Sequence, residues 1–218
     1  MIPYYLWPMI TLSVKQLKKS FGPNIIFSGV SFDHQASALG IAGSNGSGKS
    51  TFLKCLGELL PPSSGNIAWE DNGIALNKTA FKQKLGYAAP YVNLYNELSC
   101  RENLTFISKM RHQSDSIKTI DLWISKVGLK HAINQPFGKL STGQQQRLRL
   151  ASALFYDPDI LLLDEPGSNL DEDGRNLITE IVTAFDTPEK LIIIASNNPD
   201  ELDLCERIFS IEEESFVE

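Results

Sequence analysis

Gly43-Ser44-Asn45-Gly46-Ser47-Gly48-Lys49-Ser50-Thr51 is the stretch that decides the fold. It has the form G-x-x-x-x-G-K-[ST], a glycine-rich turn that cradles phosphate. The run before it, residues 37–42 (Ser-Ala-Leu-Gly-Ile-Ala), is small and apolar, as a buried strand end is. After it Phe52, Leu53, Leu56, Leu59 and Leu60 recur at helical spacing, which predicts a helix. Strand, glycine loop and helix are the context the motif requires. Gly43, Gly46 and Gly48 let the backbone wrap until successive N–H groups point at one anion. The helix adds the positive end of its dipole. Lys49 has the reach for β- and γ-phosphates, and Ser50 offers a hydroxyl to Mg²⁺.

The second half of such a site lies in residues 160–166, Ile-Leu-Leu-Leu-Asp-Glu-Pro. Four apolar residues ending in two acids read as a buried parallel strand, whose carboxyl end is where α/β sheets place chemistry. Asp164 fits the acid that holds Mg²⁺ beside a phosphate loop, and Glu165 the group that orients or deprotonates an attacking water. Upstream, Leu148, Ala151, Leu154 and Phe155 share a helical face. That puts Ser141, Thr142 and Gly143 at a helix N-terminus, a second anion site or an ordinary helix cap. One chain has one nucleotide loop, so two anion-binding termini make sense in a dimer where each chain closes over the nucleotide of the other.

The 218 residues are 42% hydrophobic and 21% charged, enough apolar material for a sizeable core. The net charge of −6 argues against a polyanion partner, because nucleic-acid modules carry a basic face. Lys15, Lys18 and Lys19 read as a solvated strand edge or turn. Cys55, Cys100 and Cys205 are odd in number and match no metal spacing; Cys55 reads as core. His34, His112 and His131 are scattered and none reads as a catalyst. The first ten residues are apolar but broken by Pro3 and Pro8, too short to span a bilayer, and read as a surface arm or an alternative start.

In chain order, strands are expected at 11–16 and 25–32 with a turn at 20–24. A hairpin follows around Asp71-Asn72-Gly73, and a strand at 84–89. Ser99-Cys100-Arg101-Glu102 is a capping box opening a helix to about Met110. Ile117, Ile120, Ile124 and Val127 mark another helix, closed by Gly128. Residues from about 97 to 157 therefore read as a separate helical lobe.

Taken together, the phosphate loop, Leu140-Ser-Thr-Gly-Gln-Gln-Gln-Arg147, Leu161-Leu-Leu-Asp-Glu-Pro166 and Ser168-Asn-Leu-Asp171 resemble the ATP-binding subunit of an ABC transporter. The likeness covers essentially the whole chain from about Thr11. It implies an α/β fold: a P-loop NTPase core with an antiparallel β subdomain and an α-helical signature lobe, one domain over 1–218. The implied cofactors are ATP and Mg²⁺, and the implied partners a nucleotide-sandwich dimer and a polytopic membrane subunit. The protein is then expected on the cytoplasmic face of the membrane. By the resemblance Ser141, Gly143 and Gln144 belong to the signature motif that binds the partner's γ-phosphate, and Asp171 to a loop crossing the dimer interface. Phe21 falls where the family stacks an aromatic on adenine; the alternative is a core aromatic.

Three departures from the family pattern stand out. Thr142 replaces a glycine of the signature. Pro90 stands where a glutamine usually reaches Mg²⁺ and the attacking water, and it has neither donor nor reach. Asn197 replaces the switch histidine; it can donate to a γ-phosphate oxygen but carries no proton charge. ATP binding and closure are expected to persist, with slow hydrolysis. In texture the chain is most similar to compact exporter ATPases, including the haem-exporter type. Residues 90–98 correspond to the segment that meets the membrane subunit, where Tyr91, Leu94 and Tyr95 read as the exposed groups of that interface; the alternative is that they pack the two lobes together. The alternatives are a translation- or repair-associated ABC ATPase and a phosphate-loop kinase. The first is disfavoured by a single cassette with no heptad run or metal cluster, the second by the signature segment.

Overall fold

The computed structural model describes residues 9–35, 37–111 and 117–217. The first eight residues of the apolar N-terminal run and His112 lie outside them. Ile10 does not belong to a surface arm: it is buried at the start of a strand.

Four strands form an antiparallel sheet in the order β2-β1-β4-β5: β1 (Ile10–Phe21), β2 (Asn24–Gln35), β4 (Ser64–Asp71) and β5 (Ile74–Ala75). In β1, Ile10, Leu12 and Val14 point inward on the two-residue period of a half-buried strand. A bulge at Gln16, whose φ is 50°, shifts the register so that Leu17 faces inward next. The bulge lets β1 run on to Phe21, leaving only Gly22 and Pro23 as the turn where five residues were expected. It also turns Lys19 inward, contrary to the expected solvated edge. The Lys19 ammonium donates to the Pro61 carbonyl at 2.7 Å.

The second sheet has the order β10-β9-β3-β8-β7-β6. Its members are β3 (Ser37–Ala42), β6 (Leu85–Ala88), β7 (Ile160–Asp164), β8 (Leu191–Ser196), β9 (Arg207–Ser210) and β10 (Ser215–Val217). All pairs are parallel except β9–β10. Both faces are covered, so the central strands are continuously apolar. Leu39, Ile41, Leu162 and Ile193 face α1 (Lys49–Leu56) and the antiparallel sheet. Leu161, Leu163, Ile192 and Ile194 face α5 (Thr142–Leu154) and α6 (Glu172–Ala184).

The expected helix over 52–60 stops at Leu56. The Trp69 indole N–H donates to the Leu56 carbonyl at 3.0 Å and closes its end, so Leu59 is left exposed. The Trp69 ring stacks on Phe81 of α2 (Lys78–Lys84), a helix not expected from the sequence. Its start was legible, since the Asn77 side chain accepts from Thr79 and Ala80 as an N-cap. Lys84 ends this helix rather than opening the strand.

Between 97 and 157 lie α3 (Cys100–Met110), α4 (Ile117–Lys126), two 3-10 turns and α5. The Ser99 capping box forms as read. These elements share a core of their own built on Leu104, Ile120, Ile124, Phe137 and Leu148. The other face of α5 packs on the sheet through Leu150 and Ala153, which ties the lobe to β7.

Candidate nucleotide site

The carboxyl ends of β3, β8 and β7 lie side by side, with Ala42 opposite Ser196 and Asp164 opposite Ala195. The loop leaving β3 is the glycine-rich stretch. Gly48 has a φ of 106°, and a Cβ there would stand 2.4 Å from the Ile26 side chain, so this position admits only glycine. Ser44, Asn45, Gly46, Gly48, Lys49, Ser50, Thr51 and Glu165 line a cavity of about 250 Å³. Gly43 shapes the entry to the loop at a φ of 157°, and the Ser47 hydroxyl is buried without a partner.

Lys49 is nearly buried. Its ammonium donates to the carbonyls of Gly43 (2.7 Å) and Ser44 (3.1 Å) and lies 3.2 Å from the Glu165 carboxylate. Glu165 has a φ of 45° and donates its N–H to the Ala195 carbonyl at 2.8 Å, an unusual backbone that turns its side chain into the cavity. Asn197, at the exit of β8, donates to Asn45 Oδ1 at 3.0 Å. The Ser44 hydroxyl donates to Glu212 at 2.5 Å, a contact between residues 168 positions apart.

Asp164 is fully buried. Its Oδ2 accepts from the Tyr91 hydroxyl at 2.8 Å, and its Oδ1 has no partner. A buried carboxylate oxygen left unpaired is costly, and it is relieved by a cation. The donor set of Asp164 and the Ser50 hydroxyl, all oxygen, fits Mg²⁺ bound together with phosphate. Behind it, Glu201 accepts the Gly167 N–H at 3.0 Å. Burial first, then the charge of Glu165, raises its pKa above the ordinary carboxylate range.

The structure does not bring Ser141, Thr142, Gly143 or Gln144 to this cavity. Ser141 caps α5, accepting from the Gln144 N–H at 3.3 Å while Gln144 reaches back to the Ser141 N–H at 3.0 Å. Thr142 is exposed. Gly143 lies against the segment ending in Asp171: a Cβ there would stand 2.7 Å from the Asn169 carbonyl. Asp171 caps α6 through the Gly174 N–H and pairs with Arg147. That hydrogen bond to Arg147, followed by the Gly174 N–H, holds its carboxyl below the usual range. Phe21 is 50% exposed, outside the core, with the Lys19 ammonium 4.9 Å from its ring centre. In the 90–98 segment Tyr91 and Tyr95 are exposed as expected, but Leu94 is not; it is buried in the lobe core.

The ABC transporter family profile matches residues 27–168. The chain belongs to that family, in its class of ATP-binding, ATP-hydrolysing transport subunits. It is 30% identical over 211 residues to the linearmycin resistance ATP-binding protein of Bacillus subtilis, covering 94% of this chain and 68% of that one. It is also 30% identical over 216 residues to the arginine transport ATP-binding protein of the same organism, covering 95% and 90%. A dimeric ATP-binding cassette solved in a post-hydrolysis state with ADP and phosphate has the same fold, with a TM-score of 0.83 at 24% identity over 95% of this chain and 97% of that one. Among the described residues no helix is long and apolar enough to cross a membrane.

Proposed function

We propose that two cassettes sandwich their nucleotides and drive a membrane partner by closing and reopening. The observation that carries this reading is the split of the site. One chain gathers Lys49, Glu165, Asn45 and Asn197 around the phosphate loop, while its capped α5 terminus lies elsewhere and lines no part of that cavity. Ser141, Thr142, Gly143 and Gln144 of one copy then meet the γ-phosphate held by the other, and Asp171 lies at the seam. The chain acts as one cassette over 1–218, with the 97–157 lobe inserted between two parts of the nucleotide core.

Residues 43–51 wrap the phosphates, and the Lys49 ammonium leaves Glu165 for them. Phe21, exposed at the end of β1, stacks on the adenine. Ser50 and Asp164 would hold Mg²⁺, which would supply charge neutralisation at the phosphate oxygens. Glu165, released from Lys49, accepts the proton of the attacking water. Asn197 exchanges Asn45 for a phosphate oxygen as its hydrogen-bond acceptor. The exposed Tyr91 and Tyr95 form part of the surface for a polytopic membrane subunit, which puts the cassette on the cytoplasmic face.

Turnover measured across protein concentration tests the sandwich. The rate per chain rises steeply with concentration if two chains complete each centre; a rate independent of dilution down to the monomer overturns it.

A further inference from the structure

Tyr91 is not only a surface tyrosine. Its hydroxyl is the only donor to Asp164 Oδ2 among the described residues, at 2.8 Å. A phenol has one hydrogen; with that hydrogen on Asp164, the hydroxyl of Tyr87, which also touches Tyr91, must be the donor in their mutual bond. The result is a directed chain, Tyr87 to Tyr91 to Asp164. Tyr87 is fixed on β6, paired with Leu162 of β7, two residues before Asp164. The ring of Tyr91 is held from its other side by the Lys54 ammonium of α1, 3.8 Å from the ring centre. Tyr91 is nonetheless 42% exposed and opens the 90–98 segment. The backbone just after it is tied to α5 by Arg149, which donates to the Val92 carbonyl at 2.8 Å. One side chain thus touches solvent at one end and a fully buried acid at the other.

We propose that Tyr91 is a positioning residue for the metal: its hydroxyl orients the Asp164 carboxylate so that Oδ1 faces Mg²⁺, and through it the 90–98 segment sets metal affinity. This rests on the reading of Asp164 as the metal-holding acid. A movement of the segment that withdraws the phenol leaves the carboxylate free to rotate and loosens the ion. Pro90, which can neither donate nor reach, therefore leaves the segment linked to the metal through its neighbour. Hydrogen bonds from an outer group to a metal ligand raise affinity by about 10- to 100-fold.

The test uses the full chain with bound ADP, so that no hydrolysis intervenes, and reads Mn²⁺ binding by its electron paramagnetic resonance signal. Tyr91→Phe keeps the ring and its contact with Lys54. It is expected to weaken Mn²⁺ by about tenfold or more while leaving ADP affinity in EDTA unchanged. Asp164→Asn is expected to lose Mn²⁺ more severely. If Asp164→Asn weakens Mn²⁺ and Tyr91→Phe does not, the role given to Tyr91 is overturned and the metal site stands. If Asp164→Asn leaves Mn²⁺ unchanged, the metal reading itself fails. Loss of metal-free ADP binding in Tyr91→Phe would show the hydroxyl to be structural and also overturn the inference.

Discussion

The ammonium of Lys49 and the carboxylate of Glu165 form an ion pair at 3.2 Å across the phosphate loop, with Lys49 5% and Glu165 27% exposed. The residue proposed to bind phosphate thus holds the residue proposed to activate water. On that proposal, nucleotide binding breaks this pair before Glu165 acts. Glu165→Gln removes both the base and the pair. It is expected to lower phosphate release by 10²-fold or more, on the order of what a positioned general base contributes, while nucleotide affinity holds or rises. Unchanged turnover in this variant would remove Glu165 from the chemistry.

Asn197 donates to Asn45 from across the cavity, so the switch position is linked to the loop without a titrating group. An imidazole at the same place can donate to the phosphate and also carry charge. Asn197→His is expected to raise turnover severalfold, and Asn197→Ala to lower it. A histidine variant no faster than the parent would show that slow hydrolysis has another origin.

Gly143 leaves no room for a side chain, because an added Cβ would press within 2.7 Å of the Asn169 carbonyl. Gly143→Ala must push the α5 N-terminus away from the segment before Asp171. Overpacking of this kind costs about 1–3 kcal/mol. In a Glu165→Gln background, the ATP-driven dimer seen by size-exclusion chromatography should fall while each monomer still binds nucleotide. Equal dimerisation would exclude the 141–144 segment from the seam.

His34 lies 4% exposed at the wall of a separate hollow of about 650 Å³ that also contains Glu206 and Arg207. Burial first, then the Arg207 charge, pushes its pKa down to about 4 from 6.5, against a smaller upward pull from Glu206. Between these values the unfolded chain binds a proton that the folded chain excludes, so stability rises with pH. The contribution is fully present above about 6.5 and is lost as pH falls toward 4, roughly 3 kcal/mol in all. Urea unfolding at pH 7 and pH 4.5 should show that loss for the parent. His34→Gln should show a smaller one.

The nucleotide core was legible in the sequence because its signals are local. A glycine loop between an apolar strand and an amphipathic helix needs no distant partner to be recognised, and neither does Leu-Leu-Leu-Asp-Glu at a strand end. What escaped depended on contacts far apart in the chain. Lys19 looked like a surface lysine until the bulge at Gln16 turned it inward toward Pro61. Leu94 looked exposed between two tyrosines because nothing local shows that Leu104 and Phe137 close over it. Tyr91 and Asp164 are separated by 73 positions, and no spacing rule links a phenol to an acid at that range.

β8 is hydrogen-bonded to β3 on one side and to β7 on the other. The ends of β3 and β7, at Ala42 and Asp164, are therefore held two strand widths apart, about 9.6 Å. That gauge is set by main-chain pairing and owes nothing to side-chain identity. Substitutions along Leu191–Ser196 can change stability and still leave the span between the strand ends at Ala42 and Asp164 at the same length.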